Sequence, residues 1–73
     1  MTRSSPRLWR LRKRHQYIDA ELLPGGDDRS VELQFLINGE LSYRRVWPVR
    51  EDALAEAAAK RSELEREGWA EHW

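Results

Sequence analysis

Residues 31–47 read VELQFLINGELSYRRVW, two β-type runs flanking Asn38-Gly39. An Asn-Gly pair between alternating apolar residues is the strongest short-range hairpin signal a sequence carries. With Asn38 and Gly39 as the central residues of a type I′ turn, Ile37 faces Glu40, Leu36 faces Leu41 and Phe35 faces Ser42. Continuing the ladder, Gln34 faces Tyr43, Leu33 faces Arg44, Glu32 faces Arg45 and Val31 faces Val46. Facing residues share a side of the sheet. The register therefore predicts one apolar face of Val31, Leu33, Phe35, Ile37 and Val46, and an opposite face of Glu32, Gln34, Leu36, Leu41, Tyr43, Arg45 and Trp47.

Upstream, Leu8 to Lys13 alternates apolar with basic residues, with Trp9 and Leu11 on one side and Arg10 and Arg12 on the other, the pattern of a half-buried strand. Arg14 and His15 turn the chain. Gln16 to Leu23 alternates again, with Ile18, Ala20 and Leu22 inward and Tyr17, Asp19 and Glu21 outward. The run Pro24-Gly25-Gly26-Asp27-Asp28-Arg29-Ser30 is a loop by composition, because proline cannot donate to a ladder and glycines supply turn conformations. Residues 1–7, rich in Ser, Pro and Arg, read as a flexible arm, and 8–73 as a single domain.

Downstream of Trp47-Pro48 the apolar period changes from two to about 3.6. Ala53, Leu54, Ala57, Ala58, Arg61 and Leu64 fall on one side, and Glu51, Glu56, Lys60, Glu63 and Glu67 on the remainder. Val49 occupies the N-cap position, where Ser, Thr or Asp ordinarily serves. At the other end Gly68 suits the left-handed C′ position, which makes Trp69 the C″ partner of Leu64 at C3 in a Schellman cap. The expected architecture is α+β, a four-stranded antiparallel meander with one C-terminal helix packed on one face. One helix cannot cover both sides of a sheet, so the other face is left open.

Chain length limits this fold. Seventy-three residues form one small domain that buries only about 60% of the surface its unfolded chain exposes. There is no cysteine, hence no disulfide or thiolate metal site, and two histidines, His15 and His72, are too few for a protein-only zinc site. No cofactor is expected, and self-association is the remaining way to add buried surface. No apolar run approaches the roughly 20 residues of a membrane span, and the Arg-rich N-terminus lacks the apolar region of a secretory signal. These features give the expectation of a cytoplasmic chain with no membrane contact.

The order of elements resembles the ββββα repeats of Pur-alpha-type single-stranded nucleic-acid-binding modules and, more distantly, the Whirly proteins. That resemblance implies a dimer presenting strand-borne aromatic and basic side chains to unstacked bases. The closing pattern Ala53-Leu54-Ala55-Glu56-Ala57 to Leu64 and Gly68-Trp69, after the turn Gly39-Glu40-Leu41, also looks like small bacterial proteins of uncharacterised function, which implies no activity.

Two functional readings follow, neither of them enzymatic. No nucleophile, metal or phosphate-loop constellation is present: His15 and His72 lack acidic orienters, and Gly25-Gly26-Asp27-Asp28 lacks the lysine of a phosphate loop. The first reading is a protein-interaction module, homodimeric through the open sheet face or an edge strand, with Leu36, Leu41, Tyr43 and Trp47 as anchors. The alternative is single-stranded DNA or RNA binding by Arg10, Arg12, Lys13, Arg14, Tyr17 and Arg45, arginines tracking phosphates while aromatics stack on bases. Net charge is zero overall, but residues 1–18 carry six bases and no acid. On the structural side of the comparison, Arg10 and Arg12 are expected to pair with Asp19 and Glu21, and Arg45 with Glu32.

Overall fold

The computed structural model describes residues 6–71. Its elements are β1 (Arg7–Lys13), β2 (Gln16–Pro24), β3 (Val31–Ile37), β4 (Glu40–Trp47), α1 (Arg50–Arg66) and a short β5 (Ala70–Glu71). All strand pairs are antiparallel, in the order β4-β3-β2-β1-β5. The α+β meander with a C-terminal helix is therefore present, extended by a fifth strand that the sequence reading did not contain. Strand β1 starts at Arg7, one residue earlier than expected, and Leu22 N–H donates to Pro6 O at 3.0 Å. The rest of the expected N-terminal arm, and His72 and Trp73, lie outside the described residues.

The Asn38-Gly39 turn has the backbone its residues predict, with φ of 52° and 86°, the double positive φ of a type I′ turn. Asn38 also closes the neighbouring strand: its N–H donates to Tyr17 O at 2.9 Å and its Oδ1 accepts from Tyr17 N–H at 3.1 Å. The other two-residue turn, Arg14-His15, places Arg14 at φ 58°. That conformation costs a side-chain-bearing residue on the order of 1 kcal/mol.

The hairpin register holds for Ile37 with Glu40 and Leu36 with Leu41, then slips by one. Beyond the slip Phe35 faces Tyr43, Gln34 faces Arg44, Leu33 faces Arg45, Glu32 faces Val46 and Val31 faces Trp47. Ser42 is the extra residue of a β-bulge, and since side chains alternate with a period of two, everything after it changes sides. Tyr43, Arg45 and Trp47 thus lie on the helix side, and Arg44 and Val46 on the open side, opposite to the sequence expectation. The packing explains the change. Phe35 and Tyr43 stack with ring centroids 5.0 Å apart, Trp9 lies 6.0 Å from Phe35, and Tyr43 and Trp47 pack against the core. Without the bulge, small Ser42 and Val46 would occupy that space.

Helix α1 crosses this side. The buried core is Trp9 and Leu11 from β1, Ile18 and Ala20 from β2, Val31, Leu33 and Phe35 from β3, and Ala53, Ala57 and Leu64 from α1. Ala58, expected on the inner side, is exposed, so the buried stripe is narrower than the sequence periodicity suggests. Small residues bring the helix backbone close enough for the indole N–H of Trp9 to donate to Ala57 O at 3.2 Å. Val49 is the N-cap and makes no side-chain cap bond. At the C-terminus Trp69 N–H donates to Leu64 O and Gly68 N–H to Glu65 O, both at 3.1 Å, with Gly68 at φ 103°. That is the Schellman pair expected from the sequence. The cap turns the chain back toward the sheet, where Ala70 pairs with Arg12 and Glu71 with Leu11.

Candidate functional site

The open face of the sheet combines two neighbouring strips. On the β1 and β2 side, ladder partners Arg7 with Glu21, Arg10 with Asp19 and Arg12 with Tyr17 alternate away from the core. Arg10 makes a bidentate pair with Asp19 through Nε and Nη2, the latter at 2.9 Å, while Arg7 Nε lies 3.8 Å from the same carboxylate. The Arg10 guanidinium also stacks over the Tyr17 ring, 4.5 Å from its centroid. Asp19, read from sequence as a solvated outer residue, is only 4% exposed, because the arginine stems lie across it. The hydrogen bond to Asp19 pushes the Arg10 pKa up from its already high ordinary value, so this cation is permanently charged and neutralised within the sheet.

On the β3 and β4 side the strip is apolar with a polar step through it. Leu36 faces Leu41, and Glu32 faces Val46 and, on its other side, Leu23. Leu41 is 50% and Val46 48% exposed, the largest exposures among the big apolar residues described on this face. Arg44 Nε reaches Glu32 Oε2 at 3.2 Å, and Gln34 Nε2 donates to the same oxygen at 2.7 Å. The expected Arg45 to Glu32 pair is replaced by Arg44 to Glu32, a direct result of the bulge. Arg12 does not pair with Glu21 either; its Nε donates to Arg14 O at 3.0 Å.

The residues proposed from sequence as anchors are therefore divided. Leu36 and Leu41 lie together on the open face, whereas Tyr43 and Trp47 are on the other side, half-buried beneath the helix edge. Val46 takes their place, and a strand bulge leaves no local mark in Ser42-Tyr43-Arg44-Arg45 by which sequence reading finds it. The nucleic-acid set is divided as well. Arg10, Arg12 and Tyr17 share the open face, and Lys13 and Arg14 sit at the sheet end. Arg45 lies on the helix side with its guanidinium 4.1 Å from the Trp47 ring centroid. Tyr17 is thus the one aromatic side chain on the open face among the described residues, and Arg10 already covers it.

The two edges of the sheet differ. Among the described residues β1 is partly covered by β5, whereas β4 has no strand on its outer side. The bulge at Ser42, the charges of Arg44 and Arg45, and Pro48 immediately after the strand are the devices that blunt an edge against further strand pairing. Among the described residues no group of three or more His, Cys, Asp or Glu is arranged to hold a metal ion, and no helix is long and apolar enough to cross a membrane. Comparison with protein-family models, with curated proteins and with solved structures found no match for this chain.

Proposed function

We propose that the chain is a protein-interaction module that self-associates through the open face of its sheet. The observation that carries this reading is the apolar pair of half-buried Leu36 and exposed Leu41, with Val46 beyond the Gln34 and Arg44 step, on a face that no element among the described residues covers. A twofold axis centred on β3 and β4 would oppose two such groups while leaving the arginines of β1 overhanging in water. The face is preferred over the β4 edge because the edge is bulged and charged. It is preferred over a base-stacking platform because Tyr17, the one aromatic side chain on this face among the described residues, is already covered by Arg10, and Arg45 lies on the helix side.

The size of the face sets the strength of the contact. Four strands spaced about 4.8 Å apart and roughly seven residues long give the whole face about 19 by 23 Å, or roughly 440 Å², an upper bound of which a contact centred on β3 and β4 uses only part. This falls below the approximately 800 Å² per partner of a standard stable interface. The dimer is consequently a reversible one that forms with rising concentration.

Sedimentation velocity over a concentration series, from low micromolar to near millimolar, tests this. The expected result is a rise in mass from the 8.7 kDa monomer toward twice that value, shifted to higher concentration by Leu41→Glu. Leu41 is exposed, so the variant keeps the fold. A chain that stays monomeric throughout, or an isotherm that Leu41→Glu leaves unmoved, refutes the reading.

A further inference from the structure

The two tight turns of the sheet are built differently. Asn38-Gly39 uses residue types that accept positive φ, whereas the first turn holds Arg14 at φ 58°, a position for which Gly and Asn are better suited. The Arg14 side chain does not compensate by holding the turn. It is exposed and makes no hydrogen bond or ion pair among the described residues, and neither does the side chain of His15. What the turn does receive, the bond from Arg12 Nε to Arg14 O, uses a backbone carbonyl that any residue supplies. A strained residue with no structural duty points to a functional one.

Its surroundings indicate the ligand. Arg12, Lys13 and Arg14 follow one another into the turn that His15 completes, three adjacent positive charges that an anion would relieve. A pocket of about 410 Å³ opens against them, lined among the described residues by Lys13, Arg14, His15, Gln16 and Trp69, none of which carries a carboxylate side chain. Its size is that of a small-ligand site. Lys13 Nζ donates to Glu67 O at 2.8 Å at the C-terminal end of α1, which fixes the ammonium at the pocket and leaves two protons to donate. Trp69 is half-buried, with its backbone held by the Schellman cap and its side chain packed against the core, so its ring forms a preset wall.

We infer that this pocket binds a nucleoside phosphate, the phosphate on Lys13, Arg14 and His15 and the base against the Trp69 ring. A bare inorganic anion would leave the aromatic wall unused, and the acidic side chains of a peptide carry no ring of their own, whereas a nucleotide joins anion and ring in one ligand. Gln16 supplies an amide that both donates and accepts, suited to a base edge or a ribose hydroxyl. The pocket lies at the β1–β2 turn and shares no residue with Leu36, Leu41 and Val46, which are carried by β3 and β4, so its test is separate from that of the self-association described above.

The test is an NMR titration of the full ¹⁵N-labelled chain with AMP, adenosine and inorganic phosphate in parallel. AMP is expected to shift the Arg14, His15 and Gln16 amides and the Trp69 indole N–H, binding at least about tenfold more tightly than either adenosine or phosphate. Arg14→Asn suits the turn conformation and so keeps the fold; it should weaken AMP at least about fivefold without lowering the melting temperature. Three results overturn the assignment: no movement of these resonances at millimolar AMP, unchanged affinity in Arg14→Asn, or inorganic phosphate binding as well as AMP. A short 5′-phosphorylated oligoadenylate distinguishes the source. Tighter, more salt-dependent binding than AMP assigns the site to single-stranded nucleic acid, and equal binding assigns it to a free mononucleotide.

Discussion

Replacing Val49 with Thr should stabilise the fold through the N-terminus of α1. Val49 sits at the N-cap with φ −121° and ψ 122°, makes no side-chain cap bond and is 45% exposed. Its carbonyl already accepts from Asp52 N–H at 3.1 Å and Ala53 N–H at 3.3 Å, so Asp52 is partly satisfied and the main gain is a partner for the N–H of Glu51. Threonine adopts the same extended backbone and offers Oγ1 at the position where capping residues accept. The full range for a cap is about 0.5–2 kcal/mol, and with one of the two N–H groups already bonded the lower half, about 0.5–1 kcal/mol, applies. Unfolding entropy of roughly 2.1 cal/mol/K per residue gives about 150 cal/mol/K for a chain of this length, so the melting temperature should rise by roughly 3–7 °C. Thermal unfolding followed by circular dichroism measures this, with Val49→Ala as the control for lost valine contacts. A Val49→Thr melting temperature at or below that of Val49→Ala would refute the capping argument.

Three further outcomes follow from the loop and the open face. A methyl group added at Gly25 would lie 2.8 Å from the Ser30 carbonyl carbon and 2.9 Å from Val31 N; Gly25→Ala should cost about 1–3 kcal/mol in urea unfolding, and a neutral result would show that the loop gives way freely. Asp27 Oδ1 accepts from the Ser30 N–H at 2.7 Å and the Arg29 N–H at 2.9 Å, and these backbone bonds, that from Ser30 foremost, hold its pKa below the ordinary 3.8. A depressed carboxylate contributes stability that is present above its unfolded pKa and lost as pH falls through the folded one. The melting-temperature gap between wild type and Asp27→Asn should therefore be widest near neutrality and close below about pH 4; a gap independent of pH would contradict this. Asp19→Asn removes the charge that Arg10 grips in bidentate fashion under a nearly closed surface, and should destabilise by about 2 kcal/mol. Chemical denaturation leaving the midpoint unchanged would mean that the pair is dispensable.

Local signals in this sequence were readable, and features set by tertiary packing were not. The Asn38-Gly39 turn and the Gly68-Trp69 cap are determined by φ preferences within a few residues, and both have the geometry their residue types require. The bulge is different in kind. Ser42 to Val46 alternates acceptably in either phase, and only the demand of Phe35 and Trp9 for an aromatic neighbour selects the phase that brings Tyr43 inward. One displaced residue then moved two of four expected interface anchors, and one expected phosphate contact, to the other side of the sheet. Strand β5 has no intrinsic β tendency in Ala70-Glu71; it exists because the cap directs the chain along β1. Asp19 faces away from the core and pairs with Arg10 as its position predicts, but its burial is not legible, because alternation gives the side of a sheet and not the cover that arginine stems provide.

The position of β5 has a kinetic consequence. Every other strand contact joins neighbours in the chain, so the meander can assemble from hairpins at little loop-closure cost, beginning at Asn38-Gly39. Pairing of Glu71 with Leu11 instead links the two ends of the domain, and it can form only after the helix has crossed the sheet and its cap has turned the chain. Contacts made after the transition state slow unfolding without speeding folding. A chain ending at Trp69 should accordingly refold at the rate of the full chain yet unfold faster, which makes the shortest strand in the protein a brake on its opening.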